Sequence, residues 1–228
     1  MNPMLILQAV PAVAEVADKA PKEMKLIDMA IAGGLTMIPL GLMFIMAVYI
    51  IIERIIVIQK ASKEDVSFMN RIKDYIFDGK IESAINLCQQ TKTPSARMVE
   101  KGISRLGRPM SDVLVAIENV GNMEISRLEK GLGLLATVSG GGPMLGFFGT
   151  VVGMVQAFYV IASKGDNTIV LGDLAGGIYT AMVTTVAGLI VGMVAYFGYN
   201  YLVSRLDNVM RNLESRSMEF LDMLNEPA

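Results

Sequence analysis

Three long runs of apolar residues divide the chain. The first extends from Met29 to Ile52, the second from Gly131 to Ser163 and the third from Leu174 to Ser204, and none of them contains Asp, Glu, Lys or Arg. Each run is longer than the roughly 20 apolar residues that a helix needs to cross the hydrocarbon core of a bilayer. The pattern therefore predicts three transmembrane helices.

The polar stretch between the first two runs has apolar residues at helical spacing and no strand-like alternation. Ser62 followed by Asp65 resembles a capping box at the start of a short helix, and Gly79 supplies its end. Pro94, directly after Thr93, is suited to the first turn of a later helix. The stretch is predicted to hold three short helices: one on the seam Val66, Met69, Lys73 and Ile76, one on Ile81, Ala84, Ile85 and Cys88, and one from Pro94 to Leu106 that Gly107 ends.

The apolar spacing then continues into the second run. We expect one continuous helix from about Ser111 through the second membrane span, because no helix-breaking residue precedes Gly140 and Pro143. A similar stripe follows the third run, so the third helix is expected to project beyond the bilayer. These stripes consist of Leu114, Ile117, Val120, Ile125 and Leu128 before the second run, and of Leu206, Val209, Leu213, Phe220 and Leu224 after the third.

Small residues recur at three- and four-residue spacing along the second and third runs. In lipid, small residues on one helical face let two backbones approach closely, so that van der Waals contact holds the helices together. Pro143 is expected to kink the second helix rather than to serve chemistry. The predicted packing positions are Gly142, Gly146, Gly149 and Gly153 with Pro143 in the second run, and Gly177, Gly188 and Gly192 in the third.

Composition narrows the function further. The chain has 53% hydrophobic residues and a mean hydropathy of +0.49, as a membrane protein does. Its 20 basic and 22 acidic residues nearly cancel, which argues against a nucleic-acid partner. Histidine is absent and Cys88 is the only cysteine. This excludes an internal disulfide, a zinc site of the usual kind and a Cys/His or Ser/His catalytic pair, so we expect no enzyme, no metal and no cofactor.

Hydroxyl groups are the main polar chemistry inside the runs. A protein that carries protons through a membrane normally needs an ionisable side chain at depth, and none of the three runs has one. A threonine hydroxyl hydrogen-bonds water or a carboxylate but does not hold a proton in transit. If protons cross here, another chain must supply the acid. Thr150 either bonds its own i−4 carbonyl or faces a lumen, and the adjacent Thr184 and Thr185 cannot both face lipid at low cost. The glycine-rich segment GGGPMLGFFG lacks the Gly-Lys-Ser/Thr ending of a phosphate loop and is interpreted as a packing segment.

Three segments resemble a known family. LGFFGTVVGMVQAF (Leu145 to Phe158) and GGIYTAMVTTVAGLIVGMVAYFGYNYL (Gly176 to Leu202) are similar to the two signature segments of the ExbB/TolQ/MotA proton-channel family. The first helix, GGLTMIPLGLMFIMAVYIIIERIIVI, resembles the ExbB branch, and three spans differ from the four of the MotA branch.

The resemblance implies a ring of five subunits around two transmembrane helices of an ExbD/TolR-like single-span partner, whose intramembrane aspartate would carry the proton. The motor would energise a TonB-like protein for outer-membrane transport. Thr150 and Thr185 match the family's pore threonines, and Thr184 and Thr180 complete the expected proton pathway. Many relatives have a glutamate where this chain has Thr180, which argues against a carboxylate relay within this subunit.

Basic residues near the ends of the spans predict the orientation. The more basic side of a membrane protein is usually cytoplasmic, which places the N-terminus in the periplasm and the C-terminus in the cytoplasm of a bacterial inner-membrane protein. The N-terminal segment lies on the membrane or is loosely ordered. The predicted all-α architecture is 1–28 periplasmic segment, 29–52 transmembrane helix 1, 53–130 cytoplasmic helical domain, 131–163 transmembrane helix 2, 164–173 periplasmic loop, 174–204 transmembrane helix 3 and 205–228 cytoplasmic C-terminal helix.

Two other functions remain open from the sequence. One is a TolQ-like subunit that maintains the cell envelope. The signature segments are specific for the superfamily, but they distinguish ExbB from TolQ less well. The other is a membrane scaffold, a ring that assembles partners and conducts no ions. The absence of an intramembrane acid favours the scaffold if the chain acts alone.

Overall fold

The computed structural model describes residues 33–63, 67–164 and 171–225, and these residues form helices. A 3₁₀ turn at Gly34–Thr36 leads into the first helix, and the described ranges contain no strand. The prediction of an all-helical protein is confirmed. The helices are α1 (Met37–Ser62), α2 (Phe68–Phe77), α3 (Ile81–Thr91), α4 (Pro94–Ile103), α5 (Met110–Glu129), α6 (Leu132–Lys164) and α7 (Leu171–Asn225).

Three helical stretches are long and apolar enough to cross a membrane, as predicted: Gly34–Ser62, Met110–Ser163 and Leu174–Asn225. Many of their large apolar side chains lie on the surface of the chain, for example Leu35, Met144 and Tyr159. Water would penalise such a surface, whereas the hydrocarbon core of a bilayer solvates it. Helix α7 continues to Asn225, so the third helix projects well beyond its apolar run as expected.

The described residues fall into two compact units. One consists of residues 33–38, 146–164 and 171–187, and it holds the predicted pore threonines. The other consists of residues 39–63, 67–145 and 188–225, and it holds the short helices α2 to α5. The predicted N-terminal segment at 1–28, the first residues of the first span and most of the loop at 164–173 lie outside the described residues.

Local hydrogen bonds and backbone conformations set the end of α2 and the start of α4. Gly79 has φ +73°, and the amides of Gly79 and Lys80 donate to the carbonyls of Ile76 and Tyr75, which closes α2 with a Schellman motif. Thr93 is the N-cap of α4: its hydroxyl accepts from the amide of Ala96 at 3.3 Å, ahead of Pro94 at the first helical position. Both predicted boundaries are confirmed.

The core of the second unit forms where α4, α5 and the outer part of α7 meet. A Cβ atom built on Gly102 would lie 2.5 Å from Cε1 of Phe220 and 2.9 Å from Cδ1 of Ile117. Glycine therefore sets how closely α4 approaches both helices. Buried side chains around this contact include Val99, Ile103, Val113, Ile117, Val209, Leu213 and Phe220.

Two predicted helix boundaries are wrong. Ser62 is the last residue of α1 rather than a cap of the next helix, and α2 begins at Phe68 after Ser67, whose side chain makes no cap hydrogen bond. The apolar character of α1 extends to Ile58, so the helix runs past the polar Glu53–Arg54 pair. Helix α4 ends at Ile103 instead of Leu106, and the chain turns through Gly107 at φ +85°.

The expected continuous helix from Ser111 into the membrane is also wrong. Lys130 has ψ 126° and Gly131 has φ +88°, which separates α5 from α6. The left-handed conformation is accessible to glycine without a steric penalty, and the apolar periodicity on both sides concealed this role. Gly140 and Pro143, by contrast, both lie inside α6.

Candidate functional site

Helices α6 and α7 pack through small residues within the unit that contains the threonines. A Cβ atom on Gly177 would lie 2.5 Å from Cβ of Ala157, and one on Gly153 would lie 3.2 Å from Cβ of Ala181. Two carbon atoms normally attract at about 3.5–4.0 Å, so any side chain on Gly177 would collide. The predicted packing positions Gly153 and Gly177 both lie in this contact between α6 and α7.

Thr184 belongs to this helix contact. It is 0% exposed, and its hydroxyl donates to the carbonyl of Ala181 at 2.8 Å. A Cβ atom on Gly149 would lie 2.6 Å from Oγ1 of Thr184, so Gly149 makes the space for this threonine. The hydroxyl satisfies itself on its own helix while the methyl group fills the interface. Because Thr184 has no exposed surface, its side chain does not face a lumen.

The other three threonines are half-buried. Thr150 donates its hydroxyl to the carbonyl of Phe147 at 2.6 Å, which is the i−3 rather than the i−4 carbonyl. Thr185 lies 3.5 Å from the carbonyl of Ala181, at the outer limit of a hydrogen bond. Both oxygens keep lone pairs that can accept a hydrogen bond from water or from a protonated carboxyl group. Thr150, Thr180 and Thr185 therefore keep accessible surface, and Thr184 does not.

A second close helix contact lies in the other unit, at Pro143. A Cβ atom on Gly192 would lie 2.6 Å from Cδ of Pro143, and one on Gly142 would lie 3.1 Å from the carbonyl oxygen of Gly188. Four of the predicted packing positions thus meet at one place along α6 and α7. Pro143 contributes its ring as a packing surface. Gly146, which belongs to the unit that holds the threonines, is buried as well.

Helix α1 packs against both of its neighbours in this unit. A Cβ atom on Gly131 would lie 3.4 Å from Cγ2 of Ile50, and one on Gly141 would lie 3.3 Å from Cε of Met43. On α7, Gly198 leaves room for the side chain of Ile51. Three glycines that were not among the predicted packing positions therefore allow α1 to approach α6 and α7 closely.

A buried charge network lies where the helical domain meets the spans, and the sequence did not indicate it. Glu124 is 4% exposed and accepts from Arg97 and, at 2.7 Å, from Nη1 of Arg127. Arg54 is 8% exposed; it donates to Glu53 at 2.7 Å and to the backbone carbonyl of Arg127 at 3.2 Å. Each of these charges has an opposite charge beside it, as burial requires.

Arg54 has a structural reason to reach Arg127. The last four carbonyls of a helix lack amide partners inside the helix, and the break after Lys130 creates such an end for α5. Arg54 caps one of these carbonyls with a positive charge, which also complements the helix dipole. The sequence places Glu53 and Arg54 side by side at the end of an apolar run, which by itself indicates no more than an ion pair at the membrane interface. No local signal could indicate otherwise, because Arg127 is 73 positions away.

The polar groups of the spans are hydroxyls and amides. Among the described residues, no three acidic, histidine or cysteine side chains come together in a way that could hold a metal ion. The runs that cross the membrane therefore offer hydrogen bonding and close packing.

Comparison with known proteins identifies this arrangement. The model of the MotA/TolQ/ExbB proton channel family matches residues 90–215, which is more than half of the chain. The chain belongs to this family. The match includes α6 and residues 171–215 of α7, and these hold all four threonines.

Named relatives come from both the ExbB and the TolQ branches of the MotA/TolQ/ExbB family. The biopolymer transport protein ExbB of Neisseria meningitidis is 26% identical over 175 residues, covering 71% of this chain and 77% of that protein. The Tol-Pal system protein TolQ of Haemophilus influenzae is 35% identical over 107 residues, 47% of this chain and 46% of TolQ. An ExbB homologue of Methanothermobacter thermautotrophicus is 28% identical over 164 residues, 72% of this chain. The chain spans only 57% of the length of this archaeal relative.

Proposed function

We propose that the chain is an ExbB-like subunit of a motor in the bacterial inner membrane. Five copies would surround a dimer of an ExbD/TolR-like single-span protein, and proton flow between them would energise a TonB-like protein for outer-membrane transport. The observation that carries the proposal is the set of half-buried hydroxyls on α6 and α7 in spans without an ionisable side chain. Such a subunit needs a partner that brings the acid.

Thr150 and Thr185 are the main elements of the pathway in this proposal. Each lies 20 positions from the basic residue that ends its apolar run on the side of the helical domain, Lys130 or Arg205. At about 1.5 Å per residue, antiparallel helices bring both to a similar depth. Repeated around a ring, they form a girdle of hydroxyls that accept a hydrogen bond from a partner carboxyl group when it is protonated and donate one to it when it is ionised. Thr180 contributes at the edge of the girdle, and Thr184 holds α7 against α6.

The surface of the subunit supports assembly with other chains. Phe147 and Phe158 are both at least 60% exposed on α6, and Met182 is 64% exposed on α7. Neighbouring subunits and lipid would cover these side chains in a ring. The excess of basic residues on the side of the helical domain supports a cytoplasmic location for that domain and a periplasmic N-terminus.

The decisive experiment compares threonine-to-valine variants of the complex. Thr→Val keeps the shape of the side chain and removes the hydroxyl. We expect Thr150→Val and Thr185→Val to leave the mass of the complex unchanged while abolishing partner-dependent proton uptake into liposomes. Thr180→Val should lower uptake less. Thr184→Val is the matched control: it loses a hydrogen bond within α7 and should lower thermal stability more than flux.

The outcomes separate the proposal from its rivals. Normal proton uptake by the Thr150/Thr185 double variant would refute the hydroxyl girdle and leave these residues as packing positions. A complete complex of the unchanged chain and its partner that takes up no ions would support the scaffold ring instead. Restored envelope integrity in a strain that lacks TolQ, without restored TonB-dependent uptake in a strain that lacks ExbB, would support the TolQ-like function.

A further inference from the structure

A cavity of about 220 Å³ lies between the end of α1 and the middle of α7, on the side of the helical domain. Its floor is apolar and includes Ile55, Ile58 and Leu202, whereas Ser62, Lys63 and Arg205 provide polar groups. The volume is several times the ~30 Å³ that a water molecule occupies in the liquid, so it admits a small headgroup. The cavity thus combines an apolar wall with two cations.

The position of the cavity along the helices matches the surface of a bilayer. The apolar run of α7 ends at Ser204, directly before Arg205, and the charge-free part of α1 ends at Ile52. Long basic side chains at such a boundary bury their stems along apolar surface and keep their charges at the level of the lipid headgroups. An occupant of the cavity would therefore contact both hydrocarbon and the headgroup layer.

The guanidinium group of Arg205 is held in place by a neutral group. Its Nε donates to the hydroxyl of Tyr201 at 3.2 Å, and its central carbon lies 5.3 Å from the centre of the Tyr201 ring. These contacts leave the two Nη groups in a fixed orientation. Within the described part of the chain, neither Arg205 nor Lys63 forms an ion pair, whereas Arg54, Arg97 and Arg127 each bind a carboxylate.

We propose that this cavity binds the phosphate of an anionic phospholipid. The Nη groups of Arg205 donate to the phosphate oxygens, since the planar guanidinium matches phosphate geometry. Lys63 supplies the second positive charge, and the hydroxyl of Ser62 supplies a donor. The acyl chains follow the exposed apolar surface of the two helices, which includes Ile56 and Phe197. The apolar floor favours a lipid over free phosphate, and two cations that form no ion pair with any other described residue favour an anionic headgroup over a zwitterionic one.

The test titrates the purified full-length protein in detergent with phosphatidylglycerol or phosphatidylcholine and counts bound lipids by native mass spectrometry. We expect at least one phosphatidylglycerol to be retained, bound about tenfold more tightly than phosphatidylcholine, since each basic residue at a membrane surface contributes measurably to anionic lipid binding. A Lys63→Gln/Arg205→Gln variant should lose this preference. Lys63→Gln alone, which keeps the Arg205–Tyr201 contact, should lose part of it.

Matched controls come from the same two helices. Lys60→Gln and Arg211→Gln remove exposed charges that do not line the cavity, and the side chain of Arg211 hydrogen-bonds Asn208 on its own helix. Both should bind phosphatidylglycerol as the unchanged protein does, and circular dichroism should show the same helix content in every variant. Equal binding of the two lipids, or full binding by the double variant, would refute the proposal. Protection from thermal unfolding by glycerol phosphate equal to that by phosphatidylglycerol would assign the cavity to a soluble phosphate instead.

Discussion

Adding a single methyl group to Gly177 should separate α6 from α7. In the Gly177→Ala variant the new Cβ would lie 2.5 Å from Cβ of Ala157, and it would also approach the carbonyl oxygen of Gly153 to 3.2 Å. Contact between two methyl carbons needs about 3.5 Å, so the helices must part by about 1 Å at this level. The new methyl group meets the methyl group of Ala157, which has no rotamer to change, and backbone atoms of α6, so no flexible side chain can move aside. Overpacking of this kind costs about 1–3 kcal/mol.

The chain supplies a matched control in the preceding residue. A Cβ atom on Gly176 meets nothing within 4 Å, yet Gly176 lies in the same helix turn as Gly177. Replacing glycine with alanine inside a helix gains up to about 1 kcal/mol of helix stability at either position. This gain cancels when the two variants are compared. Gly176→Ala should therefore be neutral or stabilising, and the difference between the variants reports the helix contact alone.

The assay is reversible unfolding of the purified subunit in mixed micelles, followed by circular dichroism. Gly177→Ala should have a free energy of unfolding about 1–3 kcal/mol below that of Gly176→Ala. Equal stabilities would mean that α6 and α7 do not pack through Gly177 and Ala157. If Gly176→Ala alone lowered the mass of the assembled complex while the subunit kept its stability, Gly176 would instead lie between subunits.

Three further predictions concern the capping of α5, the Cys88 thiol and the membrane topology. Arg54→Gln should weaken the cap of α5 by about 1.5–3 kcal/mol, the usual value of a hydrogen bond from a charged group, and faster amide exchange around Gly131 would report it; unchanged exchange would refute the capping role. Burial raises the pKa of the Cys88 thiol from 9.0 to about 12, assisted by the charge of Glu100. The folded chain therefore holds this proton more tightly, so stability should fall as the pH rises from 9 to 12, and Cys88→Ala should remove that part of the pH dependence. Cys88 should also resist maleimide at neutral pH, so that cysteines introduced at positions 20, 60, 166 and 214 report the membrane topology; equal labelling of 20 and 60 from one side would contradict three spans.

The long elements could be predicted because lipid imposes a strong composition on them. A stretch that crosses a bilayer must satisfy every backbone hydrogen bond internally and expose apolar side chains, and both demands act on local sequence. The spacing of Gly142, Gly149 and Gly153 likewise indicates a contact face, because the sequence of α6 alone shows that these positions have no side chain. The partner across that face had to come from the structure. For this reason Thr184 was grouped with the pathway threonines, whereas the structure seats it against Gly149.

The break at Gly131 and the buried charge network could not be predicted for a different reason. Glycine in an apolar run has two uses, close packing and a left-handed backbone, and periodicity on either side does not distinguish them. Arg127 is three residues from Glu124 on α5, but Arg97 lies on α4 and reaches Glu124 only because α4 packs against α5. Burial of a charged side chain is set by tertiary structure, and the local sequence around Glu124 resembles that of an exposed helix.

The break at Lys130–Gly131 also affects how the protein can change in length. An α-helix has 3.6 residues per turn, so each inserted residue rotates all that follows by about 100°. Between α5 and α6, a change in the backbone dihedral angles of Lys130 and Gly131 can compensate for such a rotation. An insertion within α5 therefore need not rotate Gly142 away from α7. Helix α7 has no such joint between Gly192 and Phe220. An insertion there would rotate Phe220 away from Gly102 while Gly192 stayed against Pro143. The number of residues between Gly192 and Phe220 therefore sets the angle between these two packing faces of α7.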